Sequence, residues 1–434
     1  MISNARFTPR RARALLRLYG LGAVVMRRRA AFLGGAILVG LAALLFARLA
    51  DAAGELFHHI VARWWWAPMV MTPFGFVALV WMTRRIAPEA AGSGIPQTMA
   101  ATRHPERGME RLLSARTVVT KLVLTIAALL CGASVGREGP TVQVAASIMG
   151  HAHRLMAVPI RASVYIAGGA AGVAAAFNTP LAGVAFAIEE LAAAYEQRMT
   201  LLVMAAVLIA GMVSLGLAGD YVYFGAMGQT LSVGQALVVA PVAGVVGGLL
   251  GGLFSRAMLA VGASRARPLA WLRARPLHLA GLCGLVVAAL GLLTGLTWGT
   301  GYATAHAIIS GTDAPYWFGP AKMLATLATA VSGLPGGIFA PSLSAGTGVG
   351  YVLSVLFPDC PTGAVVLLGM VAYFTGIVRA PLTAVIIIAE TTASRGLMMP
   401  LLAAALVADF VAQFVCRERL YHALSLRFSA DNAR

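Results

Sequence analysis

Glu138 is the residue of this chain best placed to do chemistry. It stands in the segment SVGREGP, flanked by glycines, where a helix is expected to restart after a break. A helix N-terminus presents unpaired N–H groups and a partial positive charge, so it favours an anion. The resident carboxylate can fill that anion site itself. An incoming anion must then displace it, and protonation eases the displacement by removing the competing charge. One glutamate can thereby serve as gate and as proton acceptor; the plainer alternative is a contact that ties down a loop at the helix start. Two further breaks, GSGIP (Gly92 to Pro96) and GIFAP (Gly337 to Pro341), can each start a helix. Ser93 offers a hydroxyl donor, and Ile338 and Phe339 offer backbone N–H groups. Neutral donors of this kind hold a dehydrated halide without a fixed Lys or Arg that would retain it too tightly. Each break alone is a weak signal. One carboxylate and three breaks together describe an anion pathway.

Such breaks need an apolar scaffold to hold them. Of the 434 residues, 59% are hydrophobic and 11% charged, against about a quarter charged in soluble domains. That deficit excludes a soluble enzyme, a disordered chain and a nucleic-acid binder, and leaves a polytopic membrane protein. The net charge of +17 is not a nucleic-acid footprint, because the basic residues cluster between long apolar runs as membrane topology requires. The first 29 residues contain Arg6, Arg10, Arg11, Arg13, Arg17, Arg27, Arg28 and Arg29 and no acid. The apolar piece between Arg17 and Arg27 is too short for a secretory signal and has a second Arg block behind it. Residues 1–30 therefore read as a basic amphipathic helix on the inner membrane face, with the N-terminus cytoplasmic. The clusters Arg103 to Lys121, Arg265 to Arg275 and Arg417 to Arg427 are expected on the same side, which makes the C-terminus cytoplasmic too.

Some apolar runs have the length of ordinary spans of about 20 residues. Others are interrupted, above all Ala330 to Gly350 with SGLPGGIFAP and SAGTGVG. Backbone broken at membrane depth survives only where it lines a cavity or is buried in protein. The four cysteines, Cys131, Cys283, Cys360 and Cys416, form no CxxC pair and indicate neither a disulfide framework nor a zinc site. His151 and His153 read as solvated helix residues rather than metal ligands. No metal and no cofactor are expected.

Self-comparison exposes an internal duplication. GREGP and GIFAP end at Pro140 and Pro341, 201 residues apart. NTPLAGVAFAIEE and RAPLTAVIIIAE place Pro180 and Pro381, Leu181 and Leu382, on that same spacing. Gly132 and Gly333, Gly168 and Gly369, Val184 and Val385, and Glu189 and Glu390 share it. The chain divides into a first membrane repeat at 31–220, a second at 221–420, and a C-terminal helix and tail at 421–434, all within one transmembrane domain. Paired halves with broken helices at equivalent places point to a transport site at the repeat interface. The overlapping GxxxG glycines Gly244, Gly248 and Gly252 read as close helix packing.

GSGIP, GREGP and GIFAP, in this order and spacing, resemble the three signature segments of the CLC family of chloride channels and proton/chloride antiporters. The stretch AGGAAGVAAAFNTPLAGVAFAIEEL and the late LYHAL match it as well, so the resemblance runs from about residue 30 to the C-terminus. It implies an all-α membrane fold of about 18 helices, with two inverted repeats whose broken helices meet at a central anion site. It also implies a homodimer with a pore in each subunit. Ser93 and Tyr421 would supply hydroxyls to the anion, beside the N–H groups of Ile338 and Phe339. Glu138 would be the gating glutamate on the extracellular side, and Glu190 the internal proton-transfer glutamate. The selectivity motifs would comprise Gly92, Gly94, Ile95, Pro96, Gly136, Arg137, Gly139, Pro140, Gly337 and Pro341, with Arg137 as an anchor rather than an ion contact. The duplication supports a special role for Glu190: Glu189 has its mate in Glu390, whereas Glu190 faces Thr391.

Glu138, Glu190 and Tyr421 together favour coupled exchange of chloride for protons over passive conduction, and Ser93 favours chloride. Lys121 precedes Glu138 by 17 residues, as a basic residue does in close relatives; the plainer reading is a cytoplasmic-side charge. Gln97 and Met99 stand where many relatives carry acids, and Asp409 in its apolar helix has no matching acid. A channel on the same fold is the nearest rival. An enzyme is disfavoured, because the chain has no HExxH pair and no plausible metal cluster. The expected home is a bacterial inner membrane, with chloride and protons as the transported species and no nucleic-acid partner.

Overall fold

The computed structural model of the protein describes residues 9–192, 197–219, 222–263 and 267–430. Within them the first half contains α1 (Pro9–Arg63), α2 (Ala67–Ile86), α3 (Ile95–Arg103), α4 (Pro105–Glu110) and α5 (Ala115–Leu130). It continues with α6 (Glu138–Leu155), α7 (Ala162–Phe177), α8 (Pro180–Phe186) and α9 (Gln197–Ala218). The second half has α10 (Val233–Ala263), α11 (Arg267–Ala274), α12 (Pro276–Thr294), α13 (Tyr302–Ile309) and α14 (Phe318–Val331). It ends with α15 (Phe339–Ser354), α16 (Thr362–Val378), α17 (Pro381–Thr391), α18 (Met398–Val415) and α19 (Leu420–Ala430). The described residues form no sheet; extended backbone meets only at two isolated bridges.

The spacing of 201 read from the sequence is an architectural repeat. Helices α6 and α15, α8 and α17, and α9 and α18 start 201 residues apart, and α5 and α14, and α7 and α16, end so. Prolines at the first position of α8 and α17 fix those starts, where a missing N–H costs nothing. The stops match too. Asn178 after α7 and Arg379 after α16 both take left-handed backbone, at φ 57° and 60°, the usual geometry of a helix C-terminal cap. Asn tolerates that conformation. Arg379 is held in it by Asp409, at 3.0 Å, and by the carbonyls of Cys416 and Arg417. That ion pair accounts for the acid in α18.

The two halves meet about a local two-fold. Gly136 and Gly337, mates at the repeat spacing, exchange backbone hydrogen bonds of 2.7 and 2.8 Å in an antiparallel bridge. A residue that pairs antiparallel with its own mate lies on the axis that relates the repeats. Glu189 and Glu390 repeat the pattern farther out. The Glu189 carboxylate accepts from the N–H groups of Leu382 and Thr383 at the start of α17. Glu390 accepts from those of Leu181 and Ala182 at the start of α8. Each repeat thus caps a helix of the other with a charged acceptor, which also complements the helix dipole.

Five of the described helices have the length and apolar composition to cross a membrane: the 42-residue stretch Gly22–Arg63, and those at Met199–Ala218, Val233–Gly262, Pro276–Thr294 and Arg395–Val415. The central helices α7 and α16 are shorter and are buried on every side from Val164 and Gly363 onward, so protein rather than lipid surrounds them. Glycine allows the long helices to approach this centre. On α10, a Cβ at Gly248 would lie 2.6 Å from the Ala408 carbonyl of α18, and one at Gly251 2.5 Å from the Tyr373 carbonyl of α16. Gly244 and Gly252 likewise face α18, so the GxxxG glycines are a packing face, as their spacing predicts. One expectation changes. Of the segment 1–30, residues 9–30 are not a separate surface helix, because α1 runs unbroken from Pro9 to Arg63; residues 1–8 lie outside the described residues. The segment RRRAAFLGG between the basic and apolar stretches contains no proline, and its two glycines are tolerated within a helix. The side chains of Arg10, Arg11, Arg13 and Arg17, and Arg6 as a whole, lie outside the described residues.

Candidate functional site

Three helix starts converge on one place. Gly94 caps α3 in left-handed backbone, at φ 105°, a conformation that suits Gly. Arg137 caps α6, which opens at Glu138, and Ile338 caps α15, which opens at Phe339. The segments touch through glycine. A Cβ at Gly139 would overlap the Ser93 hydroxyl and lie 3.2 Å from the Gly337 Cα. One at Gly337 would lie 3.0 Å from the Gly139 N. Gly92 donates to the Leu334 carbonyl and accepts from the Gly336 N–H. A side chain at Gly139 or Gly337 would crowd these contacts, whereas Gly92 has open space and is favoured by its left-handed backbone, at φ 70°. The positive ends of three helix dipoles therefore share one interior volume.

A small cavity of about 10 Å³ lies there, lined by Ser93, Ile338 and Tyr421, with Ser134, Thr329 and Gly336 among its other walls. That is room for about one water-sized occupant. The hydroxyls of Ser93 and Tyr421 are buried and have no well-formed hydrogen bond to another protein group. The two hydroxyls lie beside each other at one cavity, an arrangement able to donate to an acceptor the protein does not itself supply. Tyr421 is fully buried in α19 and lies 5.9 Å, ring to ring, from Phe339, which in turn packs edge-on to Phe186 and Phe374. The aromatic cluster closes the site on one side and keeps water from wetting it freely.

Glu138 is 0% exposed, and neither carboxylate oxygen has a hydrogen-bond partner of good geometry. Its surroundings are nonetheless favourable to an anion. The Arg137 guanidinium and the backbone N–H groups of Glu138 and Ala340 face the carboxylate, so it rests between the starts of α6 and α15. A Cβ at Gly136 would overlap its Oε2. Glu190 occupies a π-helical turn, Ala187–Leu191, that continues α8; such turns often mark functional places because they re-aim side chains. It is buried, with Oε1 unpartnered. The charges of both Glu138 and Glu190 are felt at Tyr421, and Arg419 is the cation nearest in effect to Glu190. The structure thus brings Ser93, Ile338, Phe339, Tyr421 and Glu138 to one centre. Glu190 is not among the residues that line the cavity.

Several residues differ from their sequence reading. Lys121 is no surface charge: it is fully buried in α5, and its ammonium donates to the Gly92 carbonyl at 2.6 Å, directly behind Ser93. His153 is buried, with Nδ1 2.8 Å from the Met149 carbonyl, rather than solvated. Gln97 is an amide because it must both donate and accept. It gives hydrogen bonds to the carbonyls of Glu89 and Ala91 and takes one from the Gly94 N–H, which a carboxylate could not do. Lys322 escaped the sequence reading altogether. It is fully buried in α14, and its ammonium lies 2.8, 3.4 and 2.8 Å from the carbonyls of Thr297, Trp298 and Gly299. The signal was present, since Lys322 follows Lys121 by the same 201 residues.

A larger cavity, of about 730 Å³, opens beyond Arg137 and is walled by α1, the 295–301 connection and the start of α13. It leads from solvent to the residue preceding Glu138.

The sequence matches the family model described as "Voltage gated chloride channel" over residues 74–413. It is 32% identical over 366 residues to the H(+)/Cl(-) exchange transporter ClcA of Yersinia pestis bv. Antiqua (strain Angola), covering 80% of this chain and 74% of that one. The ClcA of Yersinia pseudotuberculosis serotype O:3 (strain YPIII) gives the same figures. Among solved structures, a slow cyanobacterial Cl-/H+ antiporter superposes with a TM-score of 0.79 at 24% identity, over 94% of this chain and 99% of that one. A CLC-type fluoride/proton antiporter does so at 0.76 and 22%, over 94% and 98%.

Proposed function

This chain belongs to the voltage gated chloride channel family, and from that premise we propose that it exchanges chloride for protons across a membrane. The observation that carries the reading is the Glu138 carboxylate, buried between two helix starts whose segments also border a cavity lined by the hydroxyl-bearing Ser93 and Tyr421. A chloride in that cavity would accept from Ser93 and Tyr421, with the N–H groups of Ile338 and Phe339 at the start of α15 beside it. Glu138, while ionised, occupies the next anion position and blocks the path. Protonation removes its charge, so the dipoles of α6 and α15 no longer hold it and an anion takes its place. The proton that Glu138 accepts from the outer side passes inward to Glu190, which has no counterpart in the second repeat. Anion and proton use the same carboxylate in alternation, and that alternation couples them.

The relatives named as H(+)/Cl(-) exchangers support exchange over passive conduction. The protein would act as a homodimer in a bacterial inner membrane, with both termini cytoplasmic. The test is purified protein in liposomes under a chloride gradient, with internal pH recorded. Wild type drives protons uphill; Glu138→Ala and Glu190→Gln lose proton movement while chloride flux remains. Chloride flux without proton movement in the wild type leaves a channel on the same scaffold and defeats the exchange mechanism.

A further inference from the structure

One face of α1 borders the larger cavity and carries Arg48, Asp51, Glu55 and His58 at helical spacing. Across from them stand Arg137 at the start of α6, together with Tyr223 and Tyr302. Arg137 lines this cavity and directly precedes Glu138. Its side chain is 7% exposed, and its guanidinium donates to Asp51 Oδ2 at 2.6 Å and to the Ala47 carbonyl at 2.8 Å. Its Nε is buried with no partner. Asp51 is 60% exposed. A buried cation adjoining Glu138 therefore has, among the described residues, one ion-paired carboxylate, and that carboxylate faces the larger cavity.

We propose that Asp51 is a positioning residue for the gate, pairing Arg137 so that its charge does not lock Glu138 into the anion path. The proposal rests on the reading of Glu138 as the gate. While Asp51 is ionised, the pair is nearly neutral as seen from Glu138, and the carboxylate gives up its site when it gains a proton. With the charge of Asp51 removed, Arg137 stays charged, since a guanidinium does not lose its proton in proteins. Glu138 is then the acid that faces it, and Coulomb attraction holds that carboxylate ionised in the path. More acid is needed outside to open it. Arg48, Glu55 and His58 line the same cavity but make no ion pair with Arg137, so they tune the local potential without taking the place of Asp51.

The experiment measures initial chloride efflux from liposomes against outer pH for wild type, Asp51→Asn and Asp51→Glu. The expected profile of Asp51→Asn is displaced toward acid by roughly half a pH unit, as one partly screened charge would do, with the chloride-to-proton ratio kept and Asp51→Glu close to wild type. In a Glu138→Ala background the substitution leaves the profile unmoved. Asp51→Cys provides the second arm on a single preparation. A negatively charged methanethiosulfonate should restore the wild-type profile and a positively charged one should displace it further, with wild type treated alike to account for native cysteines. An Asp51→Asn profile superimposed on wild type, a displacement that persists without Glu138, or equal effects of the two reagents overturns the role of Asp51 alone. Wild-type flux that ignores outer pH overturns the gate reading and this inference with it.

Discussion

Tyr421 and Ser93 present hydroxyls to the cavity without a well-formed hydrogen bond to the protein, and Tyr421→Phe tests their use directly. Loss of one neutral hydrogen bond, about 1 kcal/mol, weakens chloride binding by about fivefold in isothermal titration calorimetry while leaving the protein folded. Lys322 makes the opposite kind of contribution. Three carbonyls around one ammonium saturate its three donors, so Lys322→Met leaves carbonyls of residues 297–299 unsatisfied next to the larger cavity. A fall in stability of about 3 kcal/mol is expected from such orphaned groups, measured by thermal unfolding in detergent. Glu189, Glu190 and Glu390 separate scaffold from transport at this scale. Glu390→Gln weakens the charged cap on α8 and costs about 1 kcal/mol of stability without altering the chloride-to-proton ratio. Glu190→Gln should do the reverse, and a changed ratio in Glu390→Gln would contradict the division.

Among the elements, α10 is the most demanding. Its glycines turn two faces to backbone, one to α16 and one to α18, and close approach of this kind is what small residues provide in membrane helices. Gly251→Val places methyl groups where the Tyr373 carbonyl and the Gly376 backbone already stand. Folded protein is expected to be lost, seen as aggregation on size-exclusion chromatography. Gly34 in α1 meets nothing within 4 Å, so Gly34→Ala should be neutral or stabilising by a few tenths of a kcal/mol. The three broken helix starts were legible because Gly and Pro announce them in GSGIP, GREGP and GIFAP. The continuity of α1 was not. An Arg block followed by an apolar run looks the same whether the two lie in one helix or two; the apolar part of α1 packs on α6, α7 and α9, while residues 22–30 are exposed.

At the scale of the molecule, the exchange reading carries a homodimer, which light scattering of the detergent-free protein mass should report as twice the 45.0 kDa of the chain; a single-chain mass would remove that part of the proposal. The sequence by itself determined that the chain lies in a membrane, that it is a duplication with a spacing of 201 residues, and where its helices break beside Ser93, Glu138 and Ile338. Composition and spacing are properties of the chain, and a repeat that preserves prolines and glutamates preserves helix ends and caps. Tertiary structure alone decided that Gly136 meets Gly337 on the axis and that Glu189 and Glu390 cap each other's repeat. It likewise decided that Lys121 braces Gly92, that Asp409 pairs with Arg379, and that Asp51 holds the arginine beside Glu138. The reason is distance along the chain. Asp51 and Arg137, or Glu189 and Leu382, carry no mark of each other in sequence, because buried charges find partners through the path of the folded backbone and not through local pattern.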